Sequence, residues 1–128
     1  MNTEQLISWV QSTKFRRWSG ASAIALFSLI VVLGSIPGAR DEIGQLATGV
    51  VLHSLAYAVL AALTFTALSG ASSRRAVFTV LSIAVMGAVD EGVQSLFPYR
   101  HAAIGDWLVD VTAGVLTAAV FGYFQRNS

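Results

Sequence analysis

Four apolar runs, each close to the length of a bilayer crossing, set the limits on what this chain can become. About 20 mostly apolar residues in a helix cross ~30 Å of hydrocarbon. Residues 20–36, 46–68, 76–97 and 104–124 each meet that requirement. Pro37-Gly38, Ser69-Gly70 and Pro98 end the first three. The composition points the same way: 55% of the 128 residues are hydrophobic and only 12% are charged, against about 25% charged in an ordinary soluble domain. A chain this short cannot hide so much apolar surface in a water-facing fold. A soluble enzyme, a disordered linker and a nucleic-acid module are therefore disfavoured, and the bilayer is the natural solvent. Eight Lys and Arg against seven Asp and Glu give a net charge of +1, which calls for no polyanionic partner. With no cysteine, disulfides, thiolate metal sites and Cys nucleophiles are excluded.

The expected fold is all-α, an integral membrane bundle of four transmembrane helices with short loops, so that chain neighbours run antiparallel. Residues 1–19 form a basic, weakly amphipathic leader on the membrane surface, with Leu6, Trp9 and Phe15 beside Lys14, Arg16 and Arg17. Residues 20–126 form the transmembrane domain. Lys14, Arg16, Arg17, Arg74, Arg75 and Arg126 fall on one side of the bilayer. Arg100 and Arg40, the latter offset by Asp41 and Glu42, fall on the other. The positive-inside rule then puts both termini in the cytoplasm. A basic start and an apolar run also resemble a signal peptide. However, the run is long for that purpose, and Pro37 stands where a small residue is wanted.

Against this apolar background the informative residues are the ionisable ones. His53 lies inside the second run, Asp90 and Glu91 inside the third, and Asp106 and Asp110 in the fourth. A charged group at mid-helix costs ~2.5–3.5 kcal/mol on insertion scales. At ~1.5 Å per residue from the nearer ends, His53, Asp90, Glu91 and Asp110 all sit ~9–10 Å deep. Helical spacing places Asp90 with Gln94, His53 with Tyr57, and Asp106 with Asp110 and Gly114 on shared faces. Small residues continue the last stripe through Ala113, Thr117 and Ala118, with Gly87 as a counterpart on the third helix, so close helix approach is expected there. Arg100 is the cation nearest these carboxylates and is placed to hold one of them bidentately. Like charges at this level cannot all ionise cheaply. The expected polar site therefore comprises His53, Tyr57, Asp90, Glu91, Gln94, Arg100, Asp106 and Asp110.

The run Asp90-Glu91-Gly92-Val93-Gln94-Ser95-Leu96-Phe97-Pro98-Tyr99-Arg100, continuing to Asp106, resembles the signature of the VanZ-like family. So does the earlier His53-x-x-x-Tyr57 element, and the likeness spans about residues 46–124. Tyr99 stands where the family often has Gly. Arg40-Asp41-Glu42 stands where many members place Asp-Lys ahead of the His helix. The resemblance implies a small polytopic protein of the bacterial cytoplasmic membrane, in a family associated with low-level teicoplanin resistance. It supplies no agreed reaction.

Four functions compete. An outward-facing polar pocket in apolar walls would bind the head group of an amphiphile, either a lipid-linked cell-wall precursor or a lipoglycopeptide. An enzyme on a lipid-linked substrate would use His53 as base with Asp90 or Glu91 orienting it. In a metal-dependent version, Asp90, Glu91, Asp110 and His53 would hold Mg²⁺ or Mn²⁺. No cofactor is expected, and the divalent metal is the weaker option. Proton transport would need a polar chain through the inner half, where only Thr64, Thr79 and Ser82 are found. In a structural subunit, whose glycine-rich surfaces would invite association into a homo-oligomer, the ions would merely fix helix register. The expected partners are membrane lipids and an amphiphilic envelope ligand, with no nucleic acid.

Overall fold

A computed structural model describes Gln5, Trp9 and residues 12–38, 49–99 and 104–126. The positions of Arg40, Asp41, Glu42, Arg100 and His101 lie outside the described residues, as does most of the expected leader. The described chain is all-helical, in the order α1 (Thr13–Ser35), α2 (Gly49–Ala67), α3 (Ser72–Gln94) and α4 (Ile104–Arg126). All four helices are long and apolar enough to cross a membrane.

The helix ends follow local chemistry. At the start of α1 the Ser12 hydroxyl accepts from the Phe15 amide at 3.1 Å, which satisfies one of the amides a helix start leaves open. Residues 13–19, expected in the leader, are therefore already helical. The helix ends where Ile36 turns extended (φ −82°, ψ 125°), because the residue before a proline is pushed out of the helical region. α3 stops at Gln94, three residues short of the expected span end. Beyond it the Leu96 and Phe97 amides reach back three residues, to the Val93 and Gln94 carbonyls, in tightened turns ahead of Pro98.

Polar and apolar residues are distributed inside out. Asp90 and Asp110 are 1% and 0% exposed, whereas Val85 and Leu116 are 63% and 62% exposed. In water this arrangement would be costly on both counts. In a bilayer the outward Val and Leu side chains meet acyl chains and the ions are sheltered. Hydroxyls along the helices donate to their own helix, among them Ser28 to the Ile24 carbonyl, Thr66 to Ala62 and Thr112 to Leu108. No lone hydroxyl proton of these residues therefore faces hydrocarbon.

The apolar core is small: Ala23, Tyr57, Leu60, Ala61, Ile83 and Ala113, with Phe27, Leu63 and Met86 packed against it. Close helix approach rather than bulk holds α3 to α4. A Cβ built on Gly114 would lie 2.8 Å from Ile83 Cγ2, so only glycine allows this spacing. At one end of the bundle, Arg16 at the start of α1 reaches the Ala67 carbonyl at the end of α2. There too, Ser72 at the start of α3 donates to the Gly122 carbonyl near the end of α4. At the other end, the Tyr99 hydroxyl donates to the Ser35 carbonyl at 2.8 Å.

Candidate functional site

Three helices bring their polar residues to one level. α2 carries His53 and Tyr57 one turn apart, with rings nearly parallel (7°) and centroids 6.2 Å apart. The lower residue turns to α3 and the upper one to α4. Tyr57, fully buried, directs its hydroxyl to Asp90 Oδ2 at 3.5 Å, the outer limit of a hydrogen bond. His53 Nδ1 lies 2.9 Å from Asp110 Oδ1, and its Nε2 lies 3.8 Å from Asp106 Oδ2. An ionised carboxylate only accepts, so with Asp110 ionised Nδ1 is the donor. Nε2 is thereby turned towards Asp106.

The orienting carboxylate of His53 is thus Asp110. Asp90, one of the two candidates expected for that role, belongs to Tyr57. The sequence places all these groups at one depth, but which helix faces which is a matter of rotation about the helix axes, and depth does not carry it. Asp90 and Gln94 share a buried face of α3, as the spacing predicts, and Glu91 is buried beside them. Asp110, Ala113, Gly114 and Ala118 form the buried stripe of α4. Gly87 lets this stripe close on α3, since a Cβ there would sit 3.4 Å from Asp110 Oδ2 and 3.1 Å from Trp107 Cδ1. Arg100 lies outside the described residues.

Exposure falls inward along the cluster. The side chain of Asp106 is 22% exposed, that of His53 13% and that of Asp110 0%. At the sealed end, Asp90 Oδ1 and Asp110 Oδ2 have no hydrogen-bond partner among the described residues. Buried polar atoms are normally satisfied, and an oxygen that is not marks a place where water, a shared proton or a ligand donor is to be accommodated. Among the described residues no group of three His or carboxylate side chains is arranged to hold a metal ion.

Sequence reasoning missed one member of this neighbourhood. Trp107 donates from Nε1 to the Ala84 carbonyl of α3 at 2.9 Å, tying the start of α4 to α3 beside Gly87. The available signal was its position three residues before Asp110 on the same helix face.

Comparison with family models, with curated proteins and with solved structures finds no match for this chain.

Proposed function

We propose that this chain is a VanZ-like protein of the bacterial cytoplasmic membrane whose buried polar centre engages the head group of an envelope amphiphile. A lipid-linked cell-wall precursor and a teicoplanin-type lipoglycopeptide are the candidate ligands. The motif from Asp90 to Asp106 supports the family reading. The end-to-start contacts Arg16 to Ala67 and Ser72 to Gly122 support antiparallel neighbours. Lys14, Arg16, Arg17, Arg74, Arg75 and Arg126 at the opposite end of the helices from His53 support a cytoplasmic placement of both termini and an outward-facing site.

The observation that carries the binding reading is the pair of sealed carboxylate oxygens, Asp90 Oδ1 and Asp110 Oδ2, beneath the partly exposed His53 and Asp106. Acceptors of this kind are matched by the hydroxyl or amine donors of a sugar or peptide head group. An apolar groove of about 500 Å³ runs between α2 and α4. Ser54 and Val109, the chain neighbours of His53 and Asp110, line it, which offers a course for the hydrocarbon tail beside the head-group site.

The test is direct binding of teicoplanin, and separately of a lipid-linked cell-wall precursor, to the purified protein in nanodiscs. The expected result is saturable binding of at least one by the wild type and its loss in Asp90→Asn/Glu91→Gln, with helicity retained by circular dichroism. Undiminished binding by that double variant would reject the assignment.

A second reading has its own observation. His53 held at Nδ1 by a sealed carboxylate presents Nε2 as a positioned base, which suits an acid–base enzyme on the same class of substrate. Turnover of the lipid-linked precursor by wild type but not by His53→Ala would favour it over binding alone.

A further inference from the structure

The opposite end of the bundle holds a second polar feature with no part in the site above. α2 has no basic residue in its own last turn, and its final carbonyls are met by arginines from other helices. Arg75 donates from Nε and Nη2 to the Phe65 carbonyl, at 3.0 and 2.7 Å, while its guanidinium lies 4.3 Å from the centre of the Phe65 ring. Arg16 donates from Nε to the Ala67 carbonyl at 3.4 Å. Both guanidiniums therefore bond to neutral carbonyls, and neither has a carboxylate partner among the described residues. The described carboxylates are Asp90, Glu91, Asp106 and Asp110. Asp90 lies fifteen residues along α3 from Arg75, hence ~22 Å away. A guanidinium carries five N–H donors, so among the described residues Arg75 Nη1 and both Arg16 Nη groups are left for another acceptor.

These two cations border a cavity of about 680 Å³ at the ends of α2 and α4. Its polar wall adds Ser69, Thr66 and Gln125, and its apolar wall is Phe65, Val120, Phe121 and Phe124. Val120 and Phe124 are 51% and 65% exposed on the outer surface of the bundle, where acyl chains lie. Guanidiniums with no carboxylate partner among the described residues, beside an apolar wall at the end of membrane-length helices, match a group that is anionic at one end and hydrocarbon at the other.

We infer that this cavity binds the phosphate of an anionic phospholipid, with Arg16 and Arg75 holding the phosphate and Val120, Phe121 and Phe124 lining its acyl chain. Arg–phosphate pairing is charge-assisted and geometrically matched, and each arginine stays anchored through its carbonyl bond while it donates. The bound lipid then ties the start of α1 to the end of α2 and the start of α3. The site is independent of the amphiphile reading, since it shares no residue with it.

The test uses the full chain in nanodiscs of phosphatidylcholine with and without phosphatidylglycerol, and native mass spectrometry to count retained lipid. Wild type is expected to retain phosphatidylglycerol over phosphatidylcholine by roughly tenfold, because the quaternary ammonium of choline neutralises the phosphate and would lie against the two guanidiniums, whereas glycerol adds no charge. Arg16→Gln, and Arg75→Gln if it folds, remove this preference. Arg74→Gln keeps it, because Arg74 removes the same charge from the same end but lies over the Phe78 ring instead. Equal retention of the two lipids by wild type, or equal losses in Arg16→Gln and Arg74→Gln, would overturn the inference. Displacement of the lipid by inorganic phosphate or glycerol 3-phosphate would overturn the lipid assignment in favour of a soluble phosphate.

Discussion

His53 lies between two carboxylates of one helix, and the difference between them sets its behaviour. Asp110 is sealed and close, at 2.9 Å, while Asp106 is partly exposed and 3.8 Å away. Removing the imidazole in His53→Ala strips the buried Asp110 Oδ1 of its 2.9 Å donor. That loss is expected to cost about 1–3 kcal/mol of stability. Tyr57→Phe removes a hydroxyl bond already at its geometric limit, and interhelical bonds in membranes average only ~0.6 kcal/mol. The two variants should separate clearly in detergent-melt or denaturant titrations, with His53→Ala much the weaker protein. Equal stabilities would mean that the His53–Asp110 contact contributes nothing special. These residues were legible in the sequence because an ion inside an apolar run is costly enough to need a reason. Their pairing was not, because hydrophobicity locates a residue along a helix axis and is silent about rotation around it. Trp107 was overlooked for a related reason: spacing places it on the Asp110 face of α4, but only the rotation of α4 against α3 brings its Nε1 to the Ala84 carbonyl.

At the scale of the helices, α3 and α4 are held by contact between Gly114 and Ile83 that leaves no room for a methyl group. Gly114→Ala must push the helices apart or distort Ile83, at about 1–3 kcal/mol. Adding Ile83→Ala removes the clashing Cγ atoms, so the double variant should be less unstable than the sum of the two single changes. A double-mutant cycle measures that coupling, and simple additivity would show that the two positions do not meet. The small-residue stripe of α4 was readable from spacing alone, but the partner residue Ile83 was not. The spans were readable to within about two turns. They differ from the helices because apolarity marks where lipid begins, whereas backbone hydrogen bonding continues until a cap or a proline stops it. Ser12 moves the start of α1 back to Thr13, and Pro98 with its tightened turns ends α3 at Gln94.

For the whole molecule, polarity is inverted between core and surface, and its two ends differ in charge. Arginines gather at the start of α1 and α3, carboxylates and His53 near the start of α2 and α4 and the end of α3. By the positive-inside rule this asymmetry underlies the proposed orientation, with both termini inside. Since the chain has no cysteine, a single introduced one reports without background. Tyr99→Cys should react with a membrane-impermeant thiol reagent added outside intact cells, and Ser128→Cys only after lysis. The reverse pattern would place the polar centre on the cytoplasmic side and remove the proposed envelope ligand with it.

The most direct measurement is mass-spectrometric identification of amphiphiles that co-purify with the protein from its native membrane. Wild type and Arg16→Gln are expected to retain the same head-group-bearing species at the His53–Asp110 centre. Asp90→Asn/Glu91→Gln, folded and inserted, is expected to lose that species while keeping its phosphatidylglycerol. Identical lipid spectra from wild type and the carboxylate variant would contradict a ligand site at these residues and leave the buried ions as devices of helix register alone.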